Sequence, residues 1–186
     1  MALLAESLVD EWLNRKGFFT VRGIKHGVGE IDLLGVRPFQ QTLEAWHVEV
    51  QASFRPIGYI APLTGESLPG FAKSKTSMKA RTRELIETAV NAWVGKKFMS
   101  QSKRAAREMA WPGLKWQHVL VHAVVREPVE LELIAKHGVQ IVPLHRVLSE
   151  LGHGVATGIR GGAGTDISEL IEYFYKNESI NSNDRT

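Results

Sequence analysis

Two stretches decide the fold: Gly29-Glu30-Ile31-Asp32-Leu33-Leu34-Gly35-Val36-Arg37 and, soon after, Leu43-Glu44-Ala45-Trp46-His47-Val48-Glu49-Val50-Gln51. Both alternate apolar and polar residues with a period of two, the pattern of a strand with one face buried. On the first, Glu30, Asp32 and Leu34 share a face, with Ile31 and Leu33 opposite. On the second, His47, Glu49 and Gln51 share a face, with Trp46, Val48 and Val50 opposite. A further β-branched and aromatic run, residues 18–25, precedes them. A Gly27-Val28-Gly29 turn follows it, and Pro38 closes the second strand. Short connections make the three strands an antiparallel meander.

Working outward, residues 2–16 carry Leu4, Leu8, Val9, Trp12 and Leu13 at helical spacing, ended by Gly17. Residues 54–71 are rich in proline and glycine and read as a long loop. A helix is expected from about 72 to 98, buried through Leu85, Ile86, Ala89, Val90, Trp93 and Val94, and a basic helix over 100–110. Residues 118–125 form a nearly continuous apolar strand suited to a sheet interior. A short helix (129–138), a buried strand (139–144) and another short helix (145–151) follow. The order predicts an α/β fold: a mixed sheet, made of the meander plus β-α-β units and flanked by helices. The expected organisation is a core over 1–151 with its basic segment at 71–110, and a Gly-rich linker over 152–164. A C-terminal helix over 165–177 and a disordered polar tail over 178–186 complete it.

The chain has 186 residues, no cysteine and a net charge of +3. That length supports a core without disulfides or a structural metal. The missing cysteines exclude thiolate metal sites, iron–sulfur clusters and cysteine nucleophiles. No apolar run reaches the ~18 residues of a membrane span, and Glu6, Asp10 and Glu11 are foreign to a signal peptide, so the cytoplasm is the expected location. The charge is unevenly spread. Residues 71–107 hold ten basic and two acidic residues, whereas residues 127–186 hold five basic and nine acidic. Such a segment suits a polyanion-binding surface, and equally a solvated helix face.

The candidate chemistry lies on the meander. If its register brings Asp32 and Glu49 together, each carboxylate raises the proton affinity of the other, and a divalent cation relieves the conflict. Hard oxygen ligands without cysteine favour magnesium or manganese. Such an ion polarises a phosphoryl oxygen and generates hydroxide from bound water. His26 and His47 lie near enough to be considered as proton shuttles. His118 and His122, four apart on a strand, stand ~13 Å apart and cannot share an ion. The segment GHGVATGIRGGAG lacks the Gly-Lys-Ser/Thr of a phosphate loop, so no nucleotide cofactor is expected. Trp111 and Trp116, beside a Pro-Gly turn, are candidates for base stacking.

Glu6 on the first helix, then Gly29-Glu30-Ile31-Asp32-Leu33, then His47-Val48-Glu49-Val50-Gln51, together resemble the PD-(D/E)XK nuclease superfamily. The small resolvase-like and predicted endonucleases of that superfamily are the most similar. The resemblance covers about four-fifths of the chain and implies a restriction-endonuclease-like fold and Mg2+- or Mn2+-dependent hydrolysis of DNA. It implies Asp32 and Glu49 as metal ligands, the Val50 carbonyl as a third oxygen, and Glu6 as a positioning acid. Gln51 stands where the family has lysine, giving Glu-x-Gln for Glu-x-Lys. An uncharged amide stabilises developing charge less than an ammonium does. A lysine from elsewhere is the expected remedy: Lys25, or Lys75 or Lys79, which with Arg83 form an i, i+4, i+8 ridge of the expected long helix. Lys73, Lys75, Lys79, Arg83, Lys103, Arg104 and Arg107 are the expected phosphate contacts. Two functions stand side by side: an active endonuclease, or a nuclease-fold module that binds nucleic acid or a protein without cutting. Resolvase-like relatives commonly dimerise, which leaves a homodimer open.

Overall fold

A computed structural model describes residues 2–27, 29–52, 58–63 and 80–153, together with 167, 169–173 and 175. The elements are α1 (Ala2–Arg15), β1 (Phe19–His26), β2 (Gly29–Phe39), β3 (Thr42–Gln51), α2 (Arg83–Val94), a π-helical turn (Gly95–Met99), α3 (Gln101–Ala110), β4 (Gln117–His122), α4 (Pro128–Lys136), β5 (Val139–Pro143) and α5 (Leu144–Gly152). The chain is an α/β protein in which, among the described residues, five strands form one mixed sheet in the order β1-β2-β3-β4-β5. The first three are an antiparallel meander; β3–β4 and β4–β5 are parallel. Parallel neighbours need crossovers; the helices that supply them, α2, α3 and α4, cover one face, and α1 and α5 cover the other.

Each face has its own core. One packs Leu8, Val9, Trp12 and Leu13 of α1 and Val147 and Leu151 of α5 against Leu33, Trp46, Val48, Val119 and Val121. The other packs Ile86, Val90 and Trp93 of α2, Phe98 of the π turn and Leu133 and Ile134 of α4 against Leu120 and Val139. β4 therefore sends successive residues to opposite cores, as expected of an interior strand. A smaller cluster of Ile31, Leu34 and Ala106 seats α3 on the meander.

Four differences from the sequence expectations have physical causes. The expected helix from 72 begins at Arg83, because Thr82 is an extended N-cap whose side chain accepts the Leu85 N–H. Residues 80–82 are not helical, so Arg83 cannot continue a ridge from Lys79. At its other end the helix loosens into the π turn rather than running regularly to 98. Pro38 does not close β2, which pairs onward through Pro38↔Leu43 and Phe39↔Thr42. The β1 ladder has already ended at Val36, so the missing proline N–H forfeits no bond to β1.

The fourth difference lies at Asp32. Ile31 and Leu34, three apart, share one cluster, which strict alternation forbids. The ladder positions skip Asp32 on both sides: β1 pairs pass from Arg22↔Leu33 to Ile24↔Ile31, and the β3 ladder starts at Leu33↔Val48. Gly23, opposite the gap, has φ +61°, a left-handed conformation that favours glycine. The interruption turns the carboxylate sideways. The expected linker falls on residues of which only 152 and 153 are described, both at the end of α5. In the expected C-terminal helix, residues 167, 169–173 and 175 are helical, while the expected tail lies outside the described residues.

Candidate functional site

Asp32, freed from the ladder, reaches across to β3, where its Oδ2 accepts the Val50 N–H at 2.7 Å. Burial raises its carboxyl to about 6; Glu49 adds to the rise and Glu6 contributes, against the Val50 hydrogen bond and Lys97. The meander and α1 thus bring Asp32, Glu49 and Glu6 into one electrostatic neighbourhood.

Glu49 is 1% exposed, under the π turn and α3. A carboxylate so deep needs partners, and it has three. Lys97 of the π turn donates to Oε2 at 2.6 Å, Lys103 of α3 donates to Oε1 at 2.5 Å, and His47 Nε2 lies 3.0 Å from Oε1. Burial alone would raise the Glu49 carboxyl, but His47, Lys97 and Lys103 outweigh it and hold it below its usual value. Lys97 is correspondingly raised, because Glu49 outweighs the burial that opposes its charge. The two lysines differ in access: the Lys97 side chain is 31% exposed and that of Lys103 only 5%. Lys103 also donates to the Glu30 carbonyl, which ties α3 to β2.

Behind Glu49 the network continues inward. Arg107 Nη1 lies 2.7 Å from His47 Nδ1 and donates to the Phe98 carbonyl at 2.8 Å. The His47 ring packs against Phe98 and His118, with centroids 5.0 and 5.7 Å away. Burial lowers the proton affinity of His47, and Arg107 and Lys103 lower it further, against the pull of Glu49. His118 is lowered to about 4 by burial, with His47 and Arg107 adding to the effect.

Local sequence explains the close approach of α3. A Cβ on Gly29 would stand 2.6 Å from Ser102 Oγ and 3.2 Å from Ser102 Cβ. The glycine that opens the G-E-I-D-L motif therefore lets the start of α3 settle on β2, which delivers the neighbouring Lys103 to Glu49. Alternation along β3 could forecast the shared face of His47 and Glu49, but not the helix laid over it.

The other expected residues are placed as follows. Gln51 pairs with His122 of β4, and its carbonyl accepts the Ala123 N–H at 3.4 Å. Lys25 stands 4.0 Å from Glu30 on the exposed end of β1, and no contact joins it to Glu49. Lys73, Lys75 and Lys79 lie outside the described residues. Arg83 and Arg104 are exposed. Lys103 and Arg107, expected on a phosphate-facing surface, are instead buried. Lys103 meets Glu49, which as a buried carboxylate would be costly unpaired, and Arg107 meets His47 and the Phe98 carbonyl. Lys97 was missed. Its only signal was membership of the basic segment, since its partner is 48 residues away in sequence.

The donor set suits a hard cation only in part. Among the described residues, no three His, Asp or Glu side chains are grouped to hold an ion. Asp32 and Glu49 would supply two ligands, with backbone and water completing the shell, as magnesium tolerates. Asp32 is a carboxylate raised by burial first and by the neighbouring Glu49 next. Glu49 Oε2 accepts one hydrogen bond where a carboxylate oxygen can accept two. Both features fit an ion at this end of β2 and β3.

No protein-family model and no curated protein matches the chain. Among solved structures, the crystal structure of a protein of unknown function, AF1548, matches at 13% identity and a TM-score of 0.47, over 82% of this chain and 67% of that one. No helix among the described residues is long and apolar enough to cross a membrane.

Proposed function

We propose that the chain is a Mg2+- or Mn2+-dependent endonuclease of restriction-endonuclease-like fold that hydrolyses DNA phosphodiester bonds. The observation that carries this is Lys97, whose ammonium sits on Glu49 Oε2 and is electrostatically coupled to Asp32. The site thereby regains the positive charge that Gln51 lacks. A divalent ion held by Asp32, Glu49 Oε2 and the Val50 carbonyl would supply a Lewis acid and a water of lowered pKa. Lys97, the more exposed of the two lysines, supplies a donor where negative charge develops on the phosphate. Lys103 and His47 hold Oε1 and fix the carboxylate plane. Glu6 adds a negative charge that strengthens the hold on a cation. Arg83 and Arg104, both exposed, with Lys73, Lys75 and Lys79, are the proposed backbone contacts, so binding should weaken steeply with salt. A cytoplasmic location and a homodimer belong to the same proposal.

The second reading is a nuclease-fold binding module that does not cut. One observation favours it: the protein's own side chains, two ammonium groups and an imidazole, already meet the Glu49 carboxylate. Calorimetry with Mn2+ and cleavage of supercoiled and branched DNA separate the two. The nuclease binds the ion and cuts, and both activities disappear in Asp32→Ala and Glu49→Ala. A wild type that takes up no Mn2+ and cuts neither substrate leaves the module.

A further inference from the structure

Arg107 is a buried cation in contact with no carboxylate among the described residues, and its side chain instead meets an imidazole and a backbone carbonyl. A guanidinium only donates. The 2.7 Å contact from Arg107 Nη1 therefore makes His47 Nδ1 an acceptor, and the ring proton must sit on Nε2. That proton points at Glu49 Oε1, 3.0 Å away. The other hydrogen of the same Nη1 goes to the Phe98 carbonyl at 2.8 Å. Phe98 directly follows Lys97 in the π turn, a backbone form uncommon in proteins and often found at functional sites.

From this geometry we infer that Arg107 is a positioning residue that couples the two halves of the site, setting Glu49 through the tautomer of His47 and Lys97 through the Phe98 carbonyl. One nitrogen thus holds both the β3 acid and the lysine of the π turn. With Oε1 held by His47 and Lys103, Oε2 is left to Lys97. Without Arg107, His47 can place its proton on Nδ1 and turn a lone pair toward Glu49, repelling the carboxylate it now holds. The Phe98 carbonyl loses a donor at the same moment, so Lys97 shifts as well. The functional half of this inference rests on the hydrolase reading; the tautomer half does not.

The test uses the full chain and 15N-detected imidazole spectra, which distinguish the two neutral tautomers. The wild type is expected to show His47 protonated at Nε2 alone; protonation at Nδ1 overturns the inference with no variant needed. Arg107→Met should release a mixture of tautomers and lower kcat for DNA cleavage about 10²-fold, the size of effect expected from a small misplacement of catalytic groups, with KM unchanged. Arg107→Lys keeps a nitrogen that only donates, one bond short of Nη1, and should recover the Nε2 tautomer and most of the rate. A single Nε2–H tautomer in a folded Arg107→Met protein overturns the inference, as does loss of cleavage through KM alone. If Arg107→Met does not fold, the wild-type and Arg107→Lys spectra decide. If the wild type cuts no DNA, the hydrolase reading fails, while the tautomer spectra still decide whether Arg107 sets Glu49.

Discussion

Replacing Asp32 by asparagine separates charge from shape at the centre of the site. The amide oxygen can still accept the Val50 N–H, so the local backbone keeps its bond. Only the negative charge beside Glu49 and Glu6 is lost. In the folded protein the Asp32 carboxyl is raised from 3.8 to about 6, by burial first and by Glu49 next. At about 1.4 kcal/mol for each tenfold change in proton affinity, that difference is worth about 3 kcal/mol. The sign follows from proton counting. Between pH 4 and 6 the native state holds a proton that the unfolded chain has released, so stability falls as pH rises through this window and stays lower above it. Asp32→Asn should therefore match the wild type near pH 4 and exceed it by up to about 3 kcal/mol at pH 8. Urea denaturation at the two pH values measures this directly. Equal stabilities at both, or a less stable variant at pH 8, would refute the account of Asp32 as a carboxylate held at a cost. Added Mg2+ should recover the lost stability in the wild type and leave Asp32→Asn unmoved. A site that is unstable for its function would behave this way.

Lys97→Met removes the ammonium from Glu49 Oε2 and should slow DNA cleavage about 10²- to 10³-fold, the effect of losing one preorganised charge donor. A kinetic assay that finds Lys97→Met as fast as wild type would return the lysine role to another residue. Glu150 accepts bonds from Trp12, Lys16 and Arg146 at 2.7, 2.8 and 2.7 Å. Although burial pushes the other way, these bonds lower its carboxyl from 4.5 to about 2. Its contribution is present above pH 4.5 and lost as pH falls toward 2. Allowing for solvent screening, Glu150→Gln should cost about 1–2 kcal/mol at pH 7 and nothing at pH 2 by acid denaturation. Glu130→Ala strips the acceptor from the Ile60 and Ala61 N–H groups, bonded at 2.7 and 2.9 Å, and should destabilise by about 2–4 kcal/mol in thermal or urea melts. Gly29→Ala should drive Ser102 away and disturb Lys103; a crystal structure with the Lys103–Glu49 contact unchanged would contradict that.

The sequence by itself determined the α/β order, the antiparallel meander and the common face of His47 and Glu49, because strand periodicity is a local property of the chain. It also pointed to Asp32 beside Glu49, although the carboxylate arrives there through a broken ladder rather than by simple alternation. Only the tertiary structure decided what surrounds them. Lys97 and Lys103 meet Glu49 across 48 and 54 residues, and Arg107 meets His47 across 60. A run of basic residues reads the same whether it faces water or a buried acid. The choice was made when Gly29 let α3 lie close on β2 and the end of α2 opened into a π turn. Glu49, sealed from water beneath them, then drew those cations inward, since a carboxylate in a low-dielectric interior is stable only with its charge met.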